Sequence, residues 1–271
     1  MKKKILIATP IHTDQLLLQY VNSIFQIINQ GTLYEVNVSW RKGSLVNRVR
    51  NELVGHFLES PYEYIFFIDS DIVDFIDAFY KIVHHYLTLE KENPFLVMGA
   101  AYPIKHFHFD YVKNSSIFQK KNWTQLMLHY NINIDSDSSV TQEADKNGGI
   151  VEASSLGGGF MMFSKNVILN LIKKHPEYEY KNFKDDSLLA KKNYNIFHSF
   201  IDNESKYYLS EDYGFCKRII ESGGKIYADI TIPLSHYGSQ VFTGSLYNTL
   251  QLNIENAPNL LEKDASNDQW K

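Results

Sequence analysis

Cys216 is the only cysteine among 271 residues. No intrachain disulfide can form, and a reducing, cytoplasmic setting is expected. Long apolar runs are missing as well. No window approaches the roughly 18 uninterrupted apolar residues that a membrane-spanning helix needs, so peripheral contact is the membrane role left open. Ile5-Leu6-Ile7-Ala8, behind the basic start Lys2–Lys4, is too short for a signal-peptide core and reads as a first strand. No long run of lysine or arginine occurs and the net charge is -4, so nothing points to a nucleic-acid partner. There is no internal repeat of useful length. A Gly-x-Gly-x-x-Gly feeding a helix is absent, which excludes the dinucleotide fingerprint. Four Asn-x-Ser/Thr triplets begin at Asn37, Asn114, Asn122 and Asn203; without a secretory signal they read as accidents of an Asn-rich chain.

What the chain does have is apolar residues for a core. At 44% hydrophobic and 14% aromatic it suits one large α/β domain or two closely packed halves. Its centre is Ile65-Phe66-Phe67-Ile68-Asp69-Ser70-Asp71. Four consecutive apolar residues read as a strand buried on both faces. Two carboxylates at its end need water, a cation or a metal. In an open α/β sheet that end is where ligands bind, and paired aspartates offer hard oxygens to Mg²⁺ or Mn²⁺. A plainer reading makes Asp69 a helix cap and Asp71 a solvated side chain. The chain carries its own control, because Asp135-Ser136-Asp137 repeats the tripeptide within a polar stretch without a strand leading in. That copy reads as a solvated loop, and Val140 stands where a calcium loop needs glycine.

Around this centre the pattern alternates. Lys3–Thr9 is a strand. A helix capped by Thr13 or Asp14 runs to Gln30 with Leu17, Val21, Ile24 and Ile28 along one face. Tyr34–Trp40 alternates with period two. A helix opening at Gly43-Ser44 points Leu45, Val49, Leu53 and Phe57 inward. Tyr64–Ile68 is the third strand, a helix carries Ile72, Ile76, Phe79, Val83 and Tyr86, and Phe95–Ala100 is the fourth strand. This order implies a mostly parallel, Rossmann-like half with right-handed crossovers. His106-Phe107-His108-Phe109 reads as an edge strand or lid rather than a metal site. The polar stretches 114–121 and 131–149 read as long loops of the kind that serve as lids or binding loops. Gly157-Gly158-Gly159 precedes the strand Phe160–Phe163, either as a plain turn or as a place where a ligand nears the backbone. Lys165–Lys174 is a helix, and Tyr213–Glu221 is another behind Ser210-Glu211-Asp212. Lys225–Ile230 is a last strand.

Several motifs, in this order, resemble the nucleotide-sugar-dependent glycosyltransferases of the GT-A fold. They are Ala8-Thr9-Pro10, Ser44–Asn51, Asp69-Ser70-Asp71, Gly158-Gly159-Phe160-Met161, Ser210-Glu211-Asp212 with Phe215, and a late His236. The likeness spans roughly residues 3–245 and is nearest to the small type found in bacteria and large DNA viruses. It implies a single GT-A domain over residues 1–253, with a nucleotide-sugar-binding half (1–101), an acceptor and catalytic half (102–253) and a polar arm (254–271).

The resemblance also implies roles. Asp71, Asp69 and His236 would hold Mn²⁺ or Mg²⁺. Thr9, Pro10, Arg48, Asn51, Asp69, Ser70, Gly158 and Gly159 would line the nucleotide-sugar pocket. On the residues themselves, Arg48 and Arg50 also suit surface ion pairs, and Arg50 is expected to point away from the pocket. Glu211 and Asp212 would face the acceptor, Asp212 preferred as base, which predicts inversion. The donor would be a nucleoside diphosphate sugar, a uridine diphosphate sugar by default. The acceptor would be a hydroxyl of a glycan, a lipid-linked sugar or a protein. Two other readings stay open. A binding module would hold such a ligand without turnover. A sugar-phosphate nucleotidyltransferase is ranked lower, because Thr9–Asp14 is not its glycine-rich basic loop.

Overall fold

The computed structural model describes residues 2–31, 33–109, 123–135, 140–181 and 190–256. The polar stretch 114–121, Ser136-Asp137 of the second acidic tripeptide and the arm beyond Asn256 lie outside the described residues.

The chain opens with β1 (Lys3–Ile11), α1 (Leu18–Gln30), β2 (Tyr34–Lys42), α2 (Val46–Glu59), β3 (Tyr64–Ile68), β4 (Ile72–Val73), α3 (Ile76–Leu89) and β5 (Leu96–Ala100). Shorter pieces follow: β6 (Pro103–Phe107), β7 (Leu128–Tyr130), β8 (Ile132–Asn133), α4 (Val140–Lys146), β9 (Ile150–Ala153) and β10 (Ser155–Leu156). Then come β11 (Phe160–Ser164), α5 (Lys165–Lys174), β12 (Glu179–Tyr180), β13 (Asn193–Tyr194), β14 (Phe200–Ile201) and β15 (Tyr208–Leu209). The chain closes with α6 (Glu211–Glu221), β16 (Lys225–Asp229), β17 (Leu234–Tyr237), β18 (Val241–Gly244) and α7 (Leu246–Asn256).

One sheet organises the molecule, in the order β2-β1-β3-β11-β5-β16-β9. β2, β1, β3, β5 and β16 run the same way, while β11 and β9 run against them. Residues on both sides of position 101 therefore share one sheet. β3, β5 and β11 are buried along their whole length, as strands covered by helices on both faces must be. Alternation along β3 assigns the faces. Phe66 stacks on Phe79 of α3, and Phe67 turns the other way to Phe163 and Phe197, which meet Phe215 of α6. Among the described residues no helix is long and apolar enough to cross a membrane.

Several local expectations need correction. Lys225–Ile230 is not the last strand, since β17 and β18 follow β16, and the stretch 131–149 read as a loop holds β8 and α4. α1 starts at Leu18, past Thr13 and Asp14, and buries Tyr20, Ser23, Ile24 and Ile27 while Ile28 is exposed. Its stripe is rotated because Tyr20, bonded through its hydroxyl to Thr9 Oγ1, takes the core position. α6 begins at Glu211 rather than Tyr213. Ile72 belongs to a strand, not to α3. β4 pairs with β17 in the order β18-β17-β4, with Ile72 opposite His236. That small sheet brings the far end of the chain to the acidic tripeptide.

Candidate functional site

The strand order reverses at β1, which has β2 on one side and β3 on the other. Crevices beyond the carboxyl ends of strands at such a point are the usual ligand sites of open α/β sheets. A cleft of about 240 Å³ lies there, lined among others by Pro10, His12, Ser44, Asp69, Ser70 and Asp71. It adjoins a second cleft of about 490 Å³ between Trp40, Arg41, Leu45, Arg48 and Glu52, sharing Gly43, Ser44 and Val49 with the first.

Arg50 anchors the floor. Its side chain is 3% exposed, and Nη2 donates to both Asp69 oxygens at 3.0 and 3.1 Å. Nη1 donates to the Gly158 carbonyl at 3.0 Å, Nε faces Glu211 at 3.7 Å, and the guanidinium lies over the Phe67 ring. Burial pushes the Asp69 carboxyl above its ordinary value, against the opposing pull of Arg50. The position of Arg50 corrects the expectation that it points away from the pocket. Helical spacing held the signal: residue 50 lies one turn before Leu53 and two before Phe57, both inward.

Asp71 sits at the mouth. Its Oδ2 accepts from Lys105 Nζ, and its Oδ1 lies 3.4 Å from His236 Nε2. His236 Nδ1 is 2.8 Å from the carbonyl of Pro103, which can only accept, so Nδ1 carries the proton and Nε2 is turned to Asp71. Burial alone would raise the Asp71 carboxyl; His236 and Lys105 outweigh it and hold it down at about 2. Asp71 Oδ1 is buried without a hydrogen-bond partner. A carboxylate oxygen that accepts no hydrogen bond, 3.4 Å from an imidazole nitrogen, is a donor set that fits a divalent cation. Mg²⁺ commonly takes only one or two protein ligands and completes its shell with phosphate oxygens and water. The Asp69 carboxylate is turned to Arg50, which donates to both of its oxygens. Among the described residues, no group of three or more His, Cys, Asp or Glu is arranged to hold a metal.

The glycines close the back wall. Gly159 N–H donates to the Tyr102 hydroxyl at 3.0 Å and its carbonyl accepts from Asp69 N–H at 2.9 Å. A Cβ on Gly159 would stand 2.8 Å from that hydroxyl and 2.9 Å from Asp69 Oδ2, so a larger residue would push the carboxylate out of place. Gly158 N–H donates to Asp212 Oδ2 at 3.2 Å. Asp212 Oδ1 accepts from Ser210 Oγ and from Tyr213 N–H. Glu211 beside it faces Arg50 Nε at 3.7 Å, and burial, reinforced by the charge of Asp212, pushes its carboxyl above the ordinary value.

Arg48 lines the second, adjoining cleft, an exposed side chain paired at 3.0 Å with Glu52. Two other expected pocket residues turn their side chains elsewhere. Asn51 is buried and ties α2 to the 195–197 segment, donating to Asn195 Oδ1 and accepting from Phe197 N–H at 2.8 Å. The Thr9 side chain is turned to Tyr20, leaving Pro10 to line the cleft. Lys105 and Tyr102 were not singled out by sequence. Neither carries a local signal, since both follow β5 in a stretch without period.

No family model matches the chain, and no curated protein matches it. Among solved structures it is similar to the crystal structure of A197 from STIV, at 15% identity and a TM-score of 0.43, with 91% of each chain covered. It is also similar to 4-diphosphocytidyl-2C-methyl-D-erythritolsynthase from Anaerococcus prevotii DSM 20548, at 13% identity and a TM-score of 0.30, with 81% of this chain and 96% of that one covered. Both likenesses are too distant to bear on activity. On its own geometry the chain is an α/β protein, with a carboxylate-bearing cleft where the strand order of its mostly parallel sheet reverses.

Proposed function

We propose that the protein is a GT-A glycosyltransferase, moving a sugar from a nucleoside diphosphate donor, by default a uridine diphosphate sugar, to a hydroxyl of a glycan, lipid-linked or protein acceptor. One observation carries the reading: at the switch point of the sheet, a buried oxygen of Asp71 that accepts no hydrogen bond lies 3.4 Å from the imidazole nitrogen of His236.

Breaking the bond between sugar and diphosphate builds negative charge on the leaving group. A divalent ion, Mn²⁺ or Mg²⁺, held by Asp71 and His236 would supply positive charge where it develops. Arg50 keeps Asp69 fixed at the cleft floor, and Pro10, Ser70 and the adjoining cleft would receive the nucleoside. We assign the proton acceptor to Glu211 rather than Asp212. Asp212 already accepts three hydrogen bonds, so its oxygens are engaged with Gly158, Ser210 and Tyr213 rather than open to an acceptor hydroxyl. Glu211 has its proton affinity raised by burial. A base on the acceptor side implies inversion at the anomeric carbon.

A thermal-shift panel of nucleotide sugars, with and without Mn²⁺, tests the reading. At a hundredfold excess over Kd, the matching donor should raise Tm by roughly 5–10 °C with Mn²⁺ present. An equal rise in chelator would sink the metal-dependent form of the proposal. Turnover tests the base. Glu211→Gln is expected to cut kcat by about 10²–10⁴-fold with donor KM near native, and Asp212→Asn by roughly tenfold. In the native protein kcat/KM should fall on acidification along a limb lying above the ordinary glutamate range, because the base must be ionised and burial raises its pKa. If Asp212→Asn were the dead variant and Glu211→Gln the active one, the assignment would be reversed.

A further inference from the structure

We propose that Lys105 is a second catalytic cation of this site: an ammonium that rests on Asp71 and passes its hydrogen bonds to the diphosphate of the bound donor. The assignment rests on the glycosyltransferase reading above and extends it to a residue that reading does not need.

Three features of the structure converge on Lys105. First, the two oxygens of Asp71 are divided between cations of different kinds. Oδ1 faces His236 Nε2, and Oδ2 accepts from Lys105 Nζ. Second, the backbone bulges where Lys105 sits. β6 is paired with β7 only at Pro103 opposite Tyr130 and Phe107 opposite Leu128, with a shift of register between. Four steps along one strand answer two along the other. Such bulges re-aim side chains beside active sites. Third, the stem of Lys105 runs along bare backbone. A Cβ placed on Gly238 would stand 3.0–3.4 Å from Lys105 Cδ, Cγ and Cβ, so glycine at 238 leaves room for that stem. Gly238 is two residues beyond His236, so β17 and the residue that follows it position both groups that address Asp71.

Charge gives the arrangement its direction. Asp69, Asp71, Glu211 and Asp212 bring four carboxylates to the site, against Arg50 and Lys105. Arg50 is enclosed, with two of its nitrogens bound to Asp69 and Gly158. Lys105 is 36% exposed, on a flexible four-carbon stem. A diphosphate entering beside Asp71 meets like charge unless cations intervene. Once Asp71 serves a divalent ion, Lys105 loses its partner and can turn to the phosphate oxygens, where a charge-assisted hydrogen bond is strongest. In the transfer step the bond from the anomeric carbon to the diphosphate oxygen breaks, and its electron pair stays on the diphosphate. The acceptor oxygen bonds to the anomeric carbon and gives its proton to Glu211. Lys105 donates hydrogen bonds to the leaving diphosphate and gives up no proton.

The decisive measurements are two affinities with opposite expected changes. Lys105→Met keeps the stem against Gly238 and removes the charge. Mn²⁺ binding to the free protein, followed by paramagnetic resonance, should tighten by roughly 3- to 10-fold because a competitor for Asp71 is gone. Binding of UDP or GDP in saturating Mn²⁺, followed by calorimetry, should weaken by about tenfold or more. Lys105→Arg should bring the nucleotide affinity back to within a few-fold of native. A lysine that merely neutralised Asp71 for folding would lower Tm and move both affinities the same way. Unchanged nucleotide affinity in Lys105→Met, with the native chain binding Mn²⁺ and nucleotide normally, overturns the role of Lys105 alone. A native chain that binds neither Mn²⁺ nor UDP nor GDP overturns the transferase reading with it.

Discussion

Asp71→Ala is expected to reduce glycosyl transfer by on the order of a thousandfold or more, and to abolish the Mn²⁺-dependent rise in Tm with nucleotide sugar. The same substitution should leave the unliganded protein almost as stable as before. Asp71 is about one-third exposed, its partner Lys105 is as exposed and can turn to water, and His236 keeps its bond to the Pro103 carbonyl. Such pairs are worth about 0–1 kcal/mol. The separation is the informative part. Chemical denaturation should place Asp71→Ala within about 1 kcal/mol of native, while calorimetry with Mn²⁺ and UDP shows no binding. An Asp71→Ala protein that still took up Mn²⁺ and nucleotide together would mean that the cleft binds by other groups.

Arg50→Met is expected to do the reverse, costing stability first. The Arg50 guanidinium is 3% exposed and Asp69 is 26% exposed, so removing the arginine strands a mostly enclosed carboxylate. Breaking one side of such a pair costs about 3–5 kcal/mol, and the partial exposure of Asp69 places this case near 3. For a chain of this length that is a fall in Tm of roughly 6–12 °C. Arg50→Lys should recover only part, because an ammonium cannot hold both Asp69 oxygens and the Gly158 carbonyl together. The double variant Arg50→Met, Asp69→Asn should be more stable than Arg50→Met alone, since the uncompensated charge is gone. If the two substitutions proved additive, Asp69 would not be the group that Arg50 compensates.

Both predictions turn on residues that differ in how visible they were. Asp71 could be read from sequence because its strand announces itself: Ile65–Ile68 is apolar throughout, and the copy at 135–137 lacks such a lead-in. Arg50 was misplaced. In a run of Asn47, Arg48, Arg50 and Asn51 every side chain is polar, so residue type does not rank them. Only the helical phase set by Val49, Leu53 and Phe57 does, and it turns Arg50 inward and Arg48 out to Glu52. Asn51 follows the same phase into the core, where it holds the 195–197 segment instead of a ligand.

The sequence by itself determined the order of helices and longer strands through β5, the short β4 excepted, together with the buried character of β3 and the acidic end that follows it. These are consequences of local period and residue type, which act over a turn or a strand. Tertiary structure alone decided that β11 inserts antiparallel between β3 and β5, bringing Gly158 and Gly159 against Arg50 and Asp69. It also decided that Ile72 leaves the helix to pair with β17, bringing His236 to Asp71 across more than half the chain. A strand's hydrogen-bonding edge can accept many partners of suitable pattern. Which one it takes depends on what else the whole chain can bury, and no window of sequence contains that comparison.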